Sequence, residues 1–156
     1  MNILRIAVAI LFIWAIVSTA LAVNYYFLYM QDESLISSIK AKVSTVSVNL
    51  LIKFDNGTKK WYNNTVVPLG SSLFNVTKKV ANVNYTQYSF GIYVVGINGI
   101  MENKQQNKYW FWWYYSGNSW YMGPVAADKY IVSNNETLAW VYSPVNVTSW
   151  QPLVKP

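Results

Sequence analysis

Histidine and cysteine, the side chains most often used as general bases, metal ligands and covalent nucleophiles, are both absent from this chain of 156 residues. Thiol chemistry, a disulfide framework and the common metal-ligand sets fall away together. Six carboxylates remain. Asp32 and Glu33 are adjacent, while Asp55, Glu102, Asp128 and Glu136 each stand near a predicted turn, at spacings that suggest no local pair. Glycoside hydrolysis needs two carboxyl groups flanking one bond, and nothing here marks out such a pair. A glycine-rich phosphate loop is missing as well. The chain reads as a non-enzyme, with no catalytic or metal-binding residue and no cofactor.

Aromatic rings are what the chain has in excess. Tyr109 to Tyr115, YWFWWYY, is an unbroken run of seven. Successive side chains of a strand point to opposite faces. Trp110, Trp112 and Tyr114 therefore share one face, and Tyr109, Phe111, Trp113 and Tyr115 the other. One face can fill a core, and the second needs a cover or a partner. An apolar patch beyond roughly a few hundred Å² usually marks an interaction site, and Tyr and Trp suit one because each joins a large apolar body to a polar handle. Trp120, Tyr121 and Trp150 are available as cover from the following loop and the tail. Stacking platforms for nucleic acid pair rings with basic residues. Only Lys104 and Lys108 lie close in sequence to the run, which argues against that partner.

Charge says less. The net charge of +6 is nearly all lysine and is scattered, so no dedicated anion site is implied. Few groups titrate between about pH 4 and 8, a composition that suits an acid-exposed archaeal envelope. Asn-x-Thr sequons stand at Asn56, Asn63, Asn75, Asn84, Asn135 and Asn146, all beyond residue 50. They predict a glycosylated surface.

The elements that carry these residues begin at a membrane. Ile6 to Val23 is 18 residues without charge, Gly or Pro, and apolarity resumes after Asn24. About 20 apolar residues cross a bilayer core, and Tyr25, Tyr26 and Tyr29 fall where an interfacial belt is expected. Arg5 and the amino terminus precede the run and Asp32 and Glu33 follow it, which puts the rest of the chain outside. The alternative is a signal peptide cleaved after Ala22, in the TALA sequence, which releases the domain instead. Both readings export it: the localisation is the cell membrane, single-pass with an extracellular domain, or secreted if the signal is cleaved.

Leu28, Leu35, Ile36 and Ile39 recur at roughly helical spacing, so the membrane helix either continues as a stalk to about Lys40 or gives way to a linker. The boundaries that follow are 1–30 for the anchor or signal, 31–45 for the stalk or linker, 46–143 for the domain and 144–156 for a proline-containing tail. Val46, Val48, Leu50, Ile52 and Phe54 alternate with Ser47, Asn49, Leu51, Lys53 and Asp55 up to Asn56-Gly57, a strand ending in a hairpin turn. The return strand stops at Pro68. A helix capped by Ser71 or Ser72 follows, with Leu73, Val76, Thr77 and Val80 as its inner stripe. Strands are expected at 87–95, 109–115 and 137–143. The pattern predicts an α+β domain with one sheet and one helix across it.

The succession LGSSLFNVTKKV, VVGINGI, YWFWWYYSGNSWYMG and LAWVYS, after a hairpin, resembles the transcobalamin C-terminal-like domain family. The resemblance runs from Val46 to Tyr142, with Gly70, Asn98-Gly99, Tyr109-Trp110, and Trp140 with Tyr142 as its most specific anchors. It implies a β-grasp-like mixed sheet with one crossing helix, here preceded by a single transmembrane helix. The chain departs from the family at Ser116-Gly117-Asn118 and at Asn134-Asn135-Glu136, both turns. The family's vitamin carriers hold cobalamin between this domain and a large helical barrel that this chain has no room for, so cobalamin carriage is not implied.

By resemblance to the family's Tyr-Trp pair, Trp110, Trp112 and Tyr114 belong to the core. Tyr109, Phe111, Trp113, Tyr115 and Trp120 are then the candidate binding residues. The reading is a membrane-anchored, glycosylated interaction module for another envelope protein, for itself or for a glycan. The alternative is a receptor for a small flat or apolar ligand or a sugar. A concave aromatic pocket favours the ligand; a flat or convex strip favours the partner.

Overall fold

The computed structural model describes residues 3–156, so the amino terminus counted among the positive flank lies outside it. The chain divides into two compact units between Val43 and Ser44.

The first unit is one helix, α1 (Ile3–Val43), of 41 residues. At 1.5 Å per residue it is about 60 Å long, twice what a bilayer core requires. Between Arg5 and Lys40 it reaches a mean hydropathy of 2.6 and is long and apolar enough to cross a membrane. The Ser18 and Thr19 hydroxyls both donate to the Ala15 carbonyl, at 3.0 and 2.8 Å, so these polar groups are satisfied within the helix. Helix continues through the predicted stalk without a break.

The second unit opens with the predicted hairpin. β1 (Thr45–Lys53) and β2 (Lys59–Pro68) pair antiparallel. Gly57 has the positive φ of +84° that its turn demands, and the Thr58 N–H donates to Asn56 Oδ1 at 2.9 Å. α2 (Leu73–Val80) starts at Ser72, which forms a reciprocal capping box with Asn75. Leu73, Phe74, Val76 and Thr77 are buried on its inner side.

The strand expected at 87–95 is instead a hairpin. β3 (Val83–Tyr88) turns at Ser89-Phe90 into β4 (Gly91–Ile97), and β5 (Ile100–Met101) completes a separate three-stranded sheet. Gly91, at a φ of +134° that favours glycine, opens β4 directly after the turn, and Ala126 and Asp128 stand where its Cβ would be. The alternation of side chains carries no mark of that close approach.

β6 (Lys108–Ser116) is the aromatic strand. It turns at Gly117 and Asn118, with φ of +53° and +64°, into β7 (Ser119–Met122). Two positive φ values make this a type I′ turn, whose twist matches a hairpin. β8 (Glu136–Pro144) closes the main sheet in the order β2-β1-β8-β6-β7. β1 and β8 run parallel while the other pairs are antiparallel. α2 and β4 cover one face of this mixed sheet, in a core that includes Leu50, Ile52, Leu73, Val94, Leu138 and Trp140. The α+β architecture with one crossing helix after an apolar helix is as expected; the second sheet is an addition.

Candidate functional site

β6 pairs with β8 over Lys108 to Tyr114, which fixes its two faces. Trp110 and Trp112 point into the core and are 4% and 6% exposed, with Tyr114 packed at its margin. Each buried indole on this face has a built acceptor. Trp110 Nε1 donates to the Ile100 carbonyl at 2.9 Å and Trp112 Nε1 to the Val125 carbonyl at 2.8 Å. Trp140 Nε1 on β8 donates to Thr77 Oγ1 of α2 at 2.8 Å. Gly123 lies flat on Trp112, where a Cβ would overlap the ring, and its N–H donates to the Trp112 carbonyl at 2.8 Å.

Between β4, β6 and residues 122–127 these contacts leave a cleft of about 220 Å³. Trp110, Trp112, Trp140 and Val94 line its buried part, and Phe90, Met122 and Val125 are exposed at its rim. The wall indole N–H groups are already bonded, so contact and shape, rather than polar recognition, are what the interior offers. The rim escaped sequence reasoning because Phe90 fell inside a predicted strand. Its one available signal was the Ser89-Phe90-Gly91 succession as a turn.

The expectation for the outer face needs correction. Trp113 is 4% exposed, as deeply buried as Trp110, and forms a second cluster with Leu51, Ala139 and Val141. The cover comes from Trp120 on β7 and Val154 in the tail. The tail is held there by the Val154 N–H on Ser143 Oγ at 2.9 Å, the Leu153 N–H on the Pro144 carbonyl at 2.9 Å, and Lys53 Nζ on the Lys155 carbonyl at 2.6 Å. Tyr109 and Phe111 are half-buried, with Tyr109 6.0 Å from the Trp150 ring. Tyr115 is exposed and packs 5.1 Å from the partly buried Trp120. Five residues expected as one open platform are thus divided between a covered patch and the β6–β7 end. Trp113 Nε1 is the one buried side-chain polar atom without a partner among the described residues.

The four carboxylates of this unit each hold a local structure. Asp55 pairs with Lys108 at 2.8 Å, and this bond holds the Lys108 ammonium above its ordinary pKa. Glu102 accepts from the Tyr93 hydroxyl at 2.8 Å, and Glu136 from the Tyr130 hydroxyl and, at 2.8 Å, the Ser133 N–H. Burial first, and then these carboxylates, push both phenols up. Asp128 accepts the Ile92 N–H at 2.7 Å, the main cause of a pKa below its ordinary 3.8. Among the described residues no group of three His, Cys, Asp or Glu side chains could hold a metal ion. All six sequon asparagines are exposed, and none lies between Tyr85 and Asn134, the stretch that supplies most of the cleft.

Comparison with known proteins agrees with this architecture. Residues 70–144 match the family described as a domain of unknown function (DUF4430). Haptocorrin, solved in complex with Cbi, is similar at a TM-score of 0.56 and 24% identity, over 65% of this chain and 25% of that one. A candidate metal-binding protein from Ruminococcus gnavus ATCC 29149 is similar at a TM-score of 0.53 and 10% identity, over 65% of this chain and 99% of the other. No curated protein matches the sequence. At these identities the structural likeness is one of fold, and this chain spans only a quarter of the haptocorrin chain. The family match and the haptocorrin likeness bear out the resemblance to transcobalamin C-terminal-like domains.

Proposed function

We propose that residues 44–156 form a non-catalytic binding module that receives one ring-sized apolar group in the cleft between β4, β6 and residues 122–127. The observation that carries this reading is the cleft itself, concave, walled by three indoles and open at Phe90. An apolar cavity of about 150 Å³ can take up benzene, whereas whole drug-sized ligands occupy about 300–1,000 Å³. A volume of about 220 Å³ therefore fits a single ring or branched alkyl group, not an entire large cofactor. Haptocorrin's Cbi is no guide to this ligand, because the matched region is a quarter of that protein.

In this account α1 anchors the module in the cell membrane with the domain outside, and glycans on the six sequons cover surfaces other than the cleft. The stretch from Tyr85 to Asn134, free of sequons, supports that division. Contact with an envelope protein, a second copy or a glycan through the outer aromatics is the weaker reading, since Trp113 is covered and, of the five residues assigned to that surface, only Tyr115 is exposed.

The test is a titration of the 44–156 fragment with toluene, followed by tryptophan fluorescence, in parent and Phe90→Ala. Phe90 is 63% exposed, so its loss should leave the melting temperature nearly unchanged while weakening binding about threefold or more. Parent fluorescence that never responds would end this reading.

A further inference from the structure

A second groove lies on the outer face of the main sheet, beside Leu51 of the cluster that the tail covers. It measures about 310 Å³, is shallow, and is lined by Asn49, Trp61, Asn63 and Thr137. Trp61 stands opposite Leu51 in the β1–β2 ladder and is 46% exposed. The ladder slips between Val48 and Leu50, leaving Asn63 and Asn64 as a bulge on the edge strand. Asn64 takes a φ of +53° there, and its N–H donates to Asn49 Oδ1 at 3.0 Å. Asn63 is exposed, follows Trp61 by two residues and shares its groove.

We propose that Asn63 is glycosylated and that the first sugar of its glycan lies in this groove, its apolar face on the Trp61 ring. In the reaction Asn63 Nδ2 forms a bond to the anomeric carbon of an oligosaccharide carried on a lipid phosphate. The nitrogen loses a proton as the bond from that carbon to the lipid phosphate breaks, so the lipid phosphate departs with the electron pair. No oxidant or reductant is required. The remaining ring hydroxyls meet Asn49 and Thr137, which supply amide and hydroxyl partners on the groove wall.

Asn63 differs from the other sequons in this respect. Phe54 precedes Asn56 by two residues, but its ring is half-buried edge-on against Trp110, at 5.7 Å. Leu73 precedes Asn75 and is buried, and Asn82, Ser133 and Pro144 stand two residues before the remaining three. Only Asn63 has an exposed ring in that place. β2 is also a terminal strand of the main sheet, with a row of backbone groups open to pairing with another chain. A glycan anchored at its bulge blocks that edge and extends the cover that the tail gives to Leu51 and Trp113.

The inference depends on the domain being exported, not on the cleft, and its test reads neither ligand binding nor Phe90. Full-length protein is purified in detergent from its own host, and glycopeptide mass spectrometry measures occupancy at Asn63. Hydroxyl-radical oxidation of Trp61 is then compared in the parent, in the enzymatically deglycosylated parent and in Asn63→Gln. The expected result is an occupied Asn63, with Trp61 oxidised about threefold faster or more once the glycan is removed by either route. A bare Asn63 in the mature protein overturns the proposal. So does an occupied Asn63 whose removal leaves Trp61 oxidation unchanged, since the glycan then points away from the groove.

Discussion

At the centre of β6, Trp113 on the outer face is buried as deeply as Trp110 and Trp112 on the inner face, but by different means. On the inner face Trp110 and Trp112 each give their N–H to a backbone carbonyl at 2.8–2.9 Å, and Gly123 is shaped to the Trp112 ring. On the outer face Trp113 is equally inaccessible, yet its N–H has no acceptor and its cover comes from a short strand and an irregular tail. Leaving a buried donor unmatched costs about 1–3 kcal/mol. The rings of the inner face are specified by hydrogen bonds as well as by packing, while Trp113 on the outer face is held by apolar contact alone, under a tail tethered by hydrogen bonds of its own. Burial by itself does not distinguish a built core from a covered surface; the fate of the polar atoms does.

The largest effect expected from this contrast is at Trp112. Trp112→Ala should destabilise the domain by about 3–5 kcal/mol, read as a fall in denaturation midpoint. A loss below about 1 kcal/mol would mean that the inner face is not the specified core. Removing residues 146–156 should cost less, about 1–3 kcal/mol from the apolar area uncovered around Trp113 and Phe111. The shortened domain should stay folded and bind a hydrophobic dye more strongly, and unfolding on truncation would show the tail to be integral to the fold.

Phenylalanine scanning sharpens the comparison at smaller scale. Trp112→Phe strands the Val125 carbonyl and should lose about 1–3 kcal/mol, whereas Trp113→Phe sheds an unmatched donor and should be close to neutral. Equal losses would show that the outer N–H is satisfied in solution. The smallest effect concerns Asp128, which clamps the start of β4. Its carboxyl lies below the ordinary value, so its contribution is present above pH 3.8 and is lost as pH falls through the lower folded value. Asp128→Asn should therefore reduce the melting temperature modestly at neutral pH, with the gap to the parent narrowing in strong acid. A gap that widened in acid would contradict the assigned shift.

Much of this architecture was legible because local chemistry and tertiary structure agree. Alternation from Val46 to Phe54, the Asn56-Gly57 turn and the serine before Leu73 each specify a feature that formed. The division of β6 into Trp110-Trp112-Tyr114 and the opposing set also held, since strand periodicity is geometric. What escaped were features made by distant contacts. Gly91 opens β4 against Ala126 and Asp128, which approach it from far along the sequence. Trp113 is buried because Val154 returns to it, and a Pro-containing tail gives no periodic signal of where it will lie. The cleft was invisible for the same reason, being bounded by three segments that meet only in the folded chain.

One contrast remains: the inner face is built around an apolar cleft, while the outer face is covered by Trp120 and the tail. Indole N–H resonances of the isotope-labelled 44–156 fragment, followed by NMR as toluene is added, test it most directly. Saturable shifts are expected at Trp110, Trp112 and Trp140, with Trp113 unmoved. Shifts confined to Trp113, or none at any of the four at saturating toluene, would contradict it.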